Sequence, residues 1–286
     1  MHEPTEQFHP PFSASCNMLR RLRKIFHKSP SPSKIPPKPF KTVKALSDWQ
    51  PRYPKLNLRK GIHPTLNKAI ASKDPKRFIT TIGRDLYSFP LFDPSTHQDF
   101  NDEIRGLLDW IELHQVSTSA PNSMHEYGLI LSDLHWEEQL QEIRIDIITP
   151  LAAHLFPELD GRTLDSQHSF VVDYGYGRDT DLGFHVDNSE VTLNVCLGDQ
   201  FSGSELYFQG RRCPQHRQTL HHPDEHISVQ HQPGIAILHA GAHRHGTHPI
   251  RSGSRRNLIM WCASSTYRAK EESCEEWCGA HQKAIF

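Results

Sequence analysis

SFVVDYGYGRDTDLGFHVDNSEVTLNVCLG, residues 169–198, decides how this chain reads. Two β-rich runs, SFVVDY and VTLNVCL, flank a stretch rich in the turn residues Gly, Asp and Asn. Inside that stretch, GFHVDNSE sets His185 and Asp187 two residues apart. Strand side chains alternate between faces, so residues at this spacing point the same way. An imidazole and a carboxylate on one face make half of a two-histidine, one-carboxylate metal site, which leaves further coordination positions open.

The same texture continues outward in SELYFQ, HISVQ, IAILHA and RNLIMWCASS, which makes six short strands in about 100 residues. Such a run predicts an antiparallel sandwich or barrel. Upstream, RDLYSFPLF (84–92) reads as a strand. DPSTHQDFNDEIRGLLDWIEL then reads as a helix capped by Asp93 or Ser95, with Pro94 in its first turn. Phe100, Ile104, Leu107, Leu108 and Ile111 line one face of it. A second helix is expected near 135–155, kinked or split by Pro150. Helices followed by strands give an α+β chain.

Composition sets the limits. At 286 residues, with 36% hydrophobic and 23% charged, the chain has material for a real core. No run of 18 apolar residues occurs, and MHEPTEQFHPPF lacks the apolar stretch of a secretory signal. Six scattered cysteines do not make a disulfide scaffold, so a reducing cytoplasmic or nuclear setting is expected. The net charge of −1 hides a balance of +10 over residues 1–60 and −11 over the rest. Ten of the 21 prolines also lie in the first 60 residues. SPSPSKIPPKP (29–39) is an extended linker, and NMLRRLRKIFHK (17–28) a short basic amphipathic helix. The expected organisation is a disordered basic head (1–60), a helical support region (61–164), a metal-binding core (165–268) and a C-terminal tail (269–286).

A third ligand should come from a distant strand. LHAGAHRHGTHPIRSGSRRNLIMW offers His239, His243, His245 and His248. Arg255 follows His245 by ten positions, after a turn at Gly253, and a guanidinium there suits a bidentate carboxylate clamp. A second His-x-Asp, His222-Pro-Asp224, lies in a polar run with proline and reads as a loop.

The ordered series His185, Asp187, His245, Arg255 resembles the 2-oxoglutarate- and Fe(II)-dependent oxygenases. HGTHPIRSGSR is similar to the prolyl and lysyl hydroxylase type. PNSMHEYGLIL (121–131), residues 169–198, SGSELYF (202–208) and RRNLIMW (255–261) resemble the subgroup of 2-oxoglutarate and iron-dependent oxygenase domain-containing protein 2. The resemblance spans roughly residues 84–266. It implies a distorted double-stranded β-helix (jelly-roll) core with flanking N-terminal helices. It implies Fe(II) on His185, Asp187 and His245, and Arg255 on the far carboxylate of 2-oxoglutarate. Tyr174, eleven positions before His185, would hydrogen-bond that cosubstrate, and Asn194 would line the pocket. The implied reaction uses O2 and 2-oxoglutarate to hydroxylate a peptidyl residue or small molecule, with succinate and CO2 as coproducts and L-ascorbate as a possible reductant.

Nucleic-acid demethylases of the superfamily resemble the run Arg-x-Asn-x-x-x-Arg, and Trp261 stands where the last arginine would be. That favours a protein or small-molecule substrate over nucleic acid. Two rival readings remain: a non-catalytic metal-binding β-scaffold, and a nucleic-acid-directed oxygenase that docks through the basic head. Cys274, Cys278 and His281, with Cys262, are weighed as a zinc site against ordinary thiols, and the histidines of 216–248 as ligands for extra metal.

Overall fold

A computed structural model of the chain describes residues 46, 48–134, 136–198, 200–270 and 278–281. Its strands are β1 (Thr80–Gly83), β2 (Leu86–Pro90), β3 (Gly128–Ile130), β4 (Ser166–Gly175), β5 (Leu182–His185), β6 (Val191–Cys196), β7 (Phe201–Gly203), β8 (Leu206–Arg211), β9 (His226–Val229), β10 (Ile235–Ala240), β11 (His243–Thr247) and β12 (Ile250–Ala263). The helices are α1 (Pro64–Ala71), α2 (Pro94–His114), α3 (Glu137–Ile143), α4 (Thr149–Leu155) and α5 (Ser265–Arg268).

The strands form two antiparallel sheets. The larger runs β1-β2-β10-β6-β12-β4-β3, with β7 on β12, and the smaller runs β5-β11-β8-β9. Leu86 and Ile237 of the large sheet share one apolar cluster with Leu206 and Phe208 of the small sheet, so the two sheets face each other. This is the distorted double-stranded β-helix.

The large sheet is buried on both faces, and alternation sorts its residues. Leu193 and Val195 on β6, and Leu258 and Met260 on β12, pack into the main core with α2, α3 and α4. Their neighbours Thr192, Asn194, Asn257 and Ile259 turn to the opposite face, between the sheets. One continuous run of buried residues thus serves the core and the site.

The sequence reading needs four corrections in the fold. Packing starts before residue 60. Leu58 is fully buried in the main core, and Trp49 donates from its indole to the buried Glu103 of α2 at 3.2 Å. The Tyr53 N–H donates to the other oxygen of Glu103 at 2.9 Å. A basic, proline-rich composition concealed these few anchoring residues. Second, the 61–164 region holds more sheet than the one strand expected at 84–92: β1 and β3 join β2 in the large sheet. Third, the division of the 137–155 helix expected at Pro150 is made ahead of it, by a π-turn over Arg144–Ile148 between α3 and α4, and Pro150 sits in the first turn of α4. Fourth, the 269–286 segment does not simply trail off, since Cys278 is fully buried. The basic helix at 17–28 and the linker at 29–39 lie outside the described residues. Among the described residues no helix is long and apolar enough to cross a membrane.

Candidate metal centre

His185 ends β5 and His245 sits mid-β11, and the two are paired across the antiparallel ladder. Their ring centroids are 4.2 Å apart. Asp187 lies just past β5, its N–H donating to Gly241 O at 3.0 Å, which turns its carboxylate back toward both rings. Ligand atoms of His185, Asp187 and His245 all lie within 4.8 Å of one another.

Proton placement follows from the partners. His185 Nδ1–H donates to Gly183 O at 2.8 Å, and His245 Nδ1–H to His243 O at 2.8 Å. Each ring therefore keeps a lone pair on Nε2. Those nitrogens stand 3.5 and 3.8 Å from the two Asp187 oxygens. Burial pushes the His245 pKa down to about 3, so its imidazole is neutral at neutral pH. Burial alone would raise the Asp187 carboxyl pKa, but the positive charge that His245, His239 and His185 carry when protonated, with a hydrogen bond from His185, outweighs it and holds that carboxyl well below the usual range. Thr192 Oγ donates to Asp187 Oδ2 at 2.6 Å and fixes the carboxylate plane.

A pocket opens beside this cluster, lined by Tyr174, Asn194, His125, Arg255, Ile259 and Trp261 among others. Arg255 is 1% exposed. It pairs with Tyr174 across β12 and β4, and its guanidinium lies 4.7 Å above the Tyr174 ring. One Nη donates to Ser204 O, while Nε has no partner among the described residues. A buried cation with a spare donor is a receptor for a carboxylate.

Tyr174 and Asn194 both reach the pocket, with partners the sequence did not reveal. The Tyr174 hydroxyl bonds to His125 Nε2 at 2.7 Å. Since His125 Nδ1 faces Asn122 Oδ1 at 3.1 Å, the tyrosine donates and the histidine accepts. Burial raises the Tyr174 pKa to about 12 and lowers that of His125 to about 4, so both are neutral. Asn194 Oδ1 accepts from Asn257 Nδ2 at 2.5 Å, a side-chain partner rather than backbone.

The other sequence candidates separate. His239 is fully buried with Nε2 3.9 Å from Asp187 Oδ2, beside the centre but outside the three-residue cluster. His243 is buried, and His248 packs against the Tyr207 ring at 4.9 Å. His222-Pro-Asp224 starts a 3-10 turn in which His222 and Glu225 form a capping box. Cys262 is not a zinc ligand; it is buried in the apolar core, where burial raises its pKa to about 12. Cys274 lies outside the described residues. His125, Thr192 and Asn257 escaped the sequence reading because ordinary polar residues far apart in the chain carry no local pattern.

Fold and donors together define a class of protein: a jelly-roll with a histidine–carboxylate centre and a cationic anchor beside it. The comparisons with known proteins agree. The OGFOD2-like domain matches residues 46–161. The chain is 44% identical over 197 residues to the 2-oxoglutarate and iron-dependent oxygenase domain-containing protein ICU11 of Arabidopsis thaliana, covering 68% of this chain and 50% of that protein. It is 40% identical over 222 residues to the Arabidopsis thaliana protein CP2 of the same description, covering 76% and 56%. With 2-oxoglutarate and iron-dependent oxygenase domain-containing protein 2 of Homo sapiens it shares 38% identity over 184 residues, covering 64% and 50%. The resemblance read from the sequence is thereby borne out, and the chain spans about half the length of these relatives.

Proposed function

We propose that this chain is an Fe(II)- and 2-oxoglutarate-dependent dioxygenase that hydroxylates a peptidyl residue or a small molecule. The observation that carries this reading is the convergence of two imidazole lone pairs on an ionised carboxylate, at 3.5 and 3.8 Å. Three acceptors facing one another repel unless a proton or a metal cation sits among them. Two nitrogens and one carboxylate suit Fe(II).

His185, Asp187 and His245 would hold the iron. Arg255 would hold the far carboxylate of 2-oxoglutarate through the donor it has to spare. Bound iron, 2-oxoglutarate and O2 supply the oxidative chemistry, with succinate and CO2 as coproducts and L-ascorbate as a reductant to include in assays. The chain's own share is placement. Thr192 holds the Asp187 plane, and the backbone carbonyls of Gly183 and His243 fix which nitrogen of each imidazole is free. Tyr174 supports the Arg255 guanidinium from one face while its hydroxyl donates a hydrogen bond to His125. Ile259 and Trp261 give the pocket an apolar wall that sheds water. Trp261 packs edge-on against Phe170 at 5.0 Å, a site for an aliphatic or aromatic group rather than a phosphate.

The test is an anaerobic titration of metal-free protein with Fe(II) and 2-oxoglutarate, following the visible metal-to-ligand charge-transfer band. The band should form, vanish in His185→Ala, and require more 2-oxoglutarate in Arg255→Ala. Iron binding without the band sinks the oxygenase reading and leaves a metal-binding scaffold.

A further inference from the structure

Outside the centre described above, a second set of donors converges. Cys213, His216 and Cys278 place Sγ, imidazole nitrogen and Sγ within 4.8 Å of one another. We propose that these three residues form a zinc-binding site that staples the C-terminal segment to the loop between β8 and β9.

Local sequence builds one half. Cys213-Pro-Gln-His216 is a single 3-10 turn, closed by His216 N–H donating to Cys213 O at 3.0 Å. In 3-10 geometry residues i and i+3 eclipse, so both side chains leave the turn on one side. Cys213 Sγ lies 3.2 Å from His216 Nδ1. The other half arrives from 65 residues away: Cys278 Sγ accepts the Cys213 N–H at 3.4 Å and lies 3.7 Å from the same imidazole nitrogen.

The surroundings are not those of ordinary core thiols. A structural thiol packs as a small apolar group, as Cys262 does in the main core. Cys213 and Cys278 are both fully buried, yet neither belongs to an apolar cluster of the described residues. Charged groups stand around them instead. Arg212, fully buried, forks onto Glu225 at 2.6 and 2.7 Å. A Cβ on Gly279, the residue after Cys278, would fall 2.3 Å from Arg212 Nη1 and 2.4 Å from Glu225 Oε1. Glycine therefore lets the C-terminal segment seat against that ion pair. Arg244 donates to the carbonyls of Gln209, Gly210, Arg217 and Thr219, which holds the loop after β8 against the small sheet.

Two thiolates and an imidazole select zinc over the hard cations that prefer oxygen. The three residues leave one tetrahedral position for a further donor. The site has a structural consequence, because the loop it would anchor supplies Arg217, Thr219, Leu220 and His221 to one wall of an open cavity of about 490 Å³. Phe184 and Tyr207 of the small sheet line the same cavity.

The experiment uses the full chain carrying His185→Ala and Asp187→Ala, which removes the other metal centre. Zinc is counted by elemental analysis after dialysis, and Co(II) is substituted to read the donors. Expected are about one zinc per chain and, with cobalt, tetrahedral visible bands plus a near-ultraviolet thiolate-to-cobalt band. Cys213→Ser and Cys278→Ser should each release zinc and weaken the thiolate band. His216→Cys, which replaces one zinc donor by another, should retain zinc and strengthen that band, which separates lost ligation from misfolding. Absence of zinc with these thiols open to alkylation overturns the proposal. So does a Cys213–Cys278 disulfide, or bound cobalt with no thiolate band.

Discussion

His185 and His245 are cross-strand partners on β5 and β11, and each gives its Nδ1 proton to a backbone carbonyl two residues upstream. Both rings are therefore locked with Nε2 turned to Asp187 before any metal arrives. The strand ladder sets their separation, and the backbone sets their tautomer. Such preorganisation is what orients imidazole ligands in metal sites.

Asp187 depends on Thr192 for its orientation, so the hydroxyl should matter to metal affinity. Thr192→Val keeps the side-chain shape and removes the 2.6 Å hydrogen bond. We expect Fe(II) to bind about 10–100-fold more weakly. The metal-free protein should also unfold at a lower temperature, because the buried Asp187 carboxylate and Ser189 hydroxyl each lose a partner. Calorimetric titration of Fe(II) into both proteins decides this, and equal affinities would remove Thr192 from the site.

Arg255 should separate the cosubstrate from the metal. Arg255→Ala removes a buried guanidinium and leaves the three candidate ligands in place. A hydrogen bond to a charged group is worth about 1.5–3 kcal/mol, so half-saturation by 2-oxoglutarate should rise about 10–150-fold. Fe(II) affinity should stay near wild type. Arg255→Lys should restore only part of the loss, because an ammonium lacks the planar fork. Weakened iron binding in Arg255→Ala, with 2-oxoglutarate affinity unchanged, would contradict the assignment.

Among the buried histidines with lowered pKa values, His125 falls to about 4 and His231 and His245 to about 3, against an ordinary 6.5. Desolvation is the main cause in each. The sign is fixed: below pH 6.5 the unfolded chain takes up protons that the folded chain refuses. Stability is therefore full above pH 6.5, falls as pH drops toward 4, and loses the His125 contribution to the slope below that. Denaturant midpoints measured from pH 7.5 to 4.5 should decline steadily. His125→Gln should flatten the slope, since glutamine does not titrate in this range. An unchanged slope in that variant would mean His125 is protonated in the fold.

The reach of the sequence follows from strand composition. β4, β6, β10 and β12 contain runs of β-branched and other apolar residues bounded by turn residues, and those runs were readable. β5 and β11 are four and five residues with glycine, histidine and arginine, and neither is among the β-rich runs that composition marks. Yet these are the strands that pair His185 with His245. Burial there is balanced by backbone hydrogen bonds and ion contacts, which leave no hydrophobic period to detect. The spacing of His185, Asp187, His245 and Arg255 revealed the candidate site where periodicity did not. His125 and Thr192 required the fold, because their partners Tyr174 and Asp187 are recognised only in three dimensions.

The N-terminal boundary gives the last prediction, because composition and packing disagree there. Residues 1–60 look like one basic, proline-rich head. Leu58, however, is fully buried, and its N–H donates to Gln139 Oε1 at 2.8 Å. Trp49 packs edge-on against Trp110 at 5.8 Å and hydrogen-bonds Glu103, a carboxylate only 1% exposed. Compared with a chain lacking residues 1–45, a chain lacking residues 1–60 should therefore be severely destabilised. The second deletion strips apolar contacts and also leaves the buried Glu103 without two of its donors. Leu58→Ala alone should cost about 2–5 kcal/mol. Equal stability of the two deletions would show that the 46–60 segment is a tail, and that the fold closes without it.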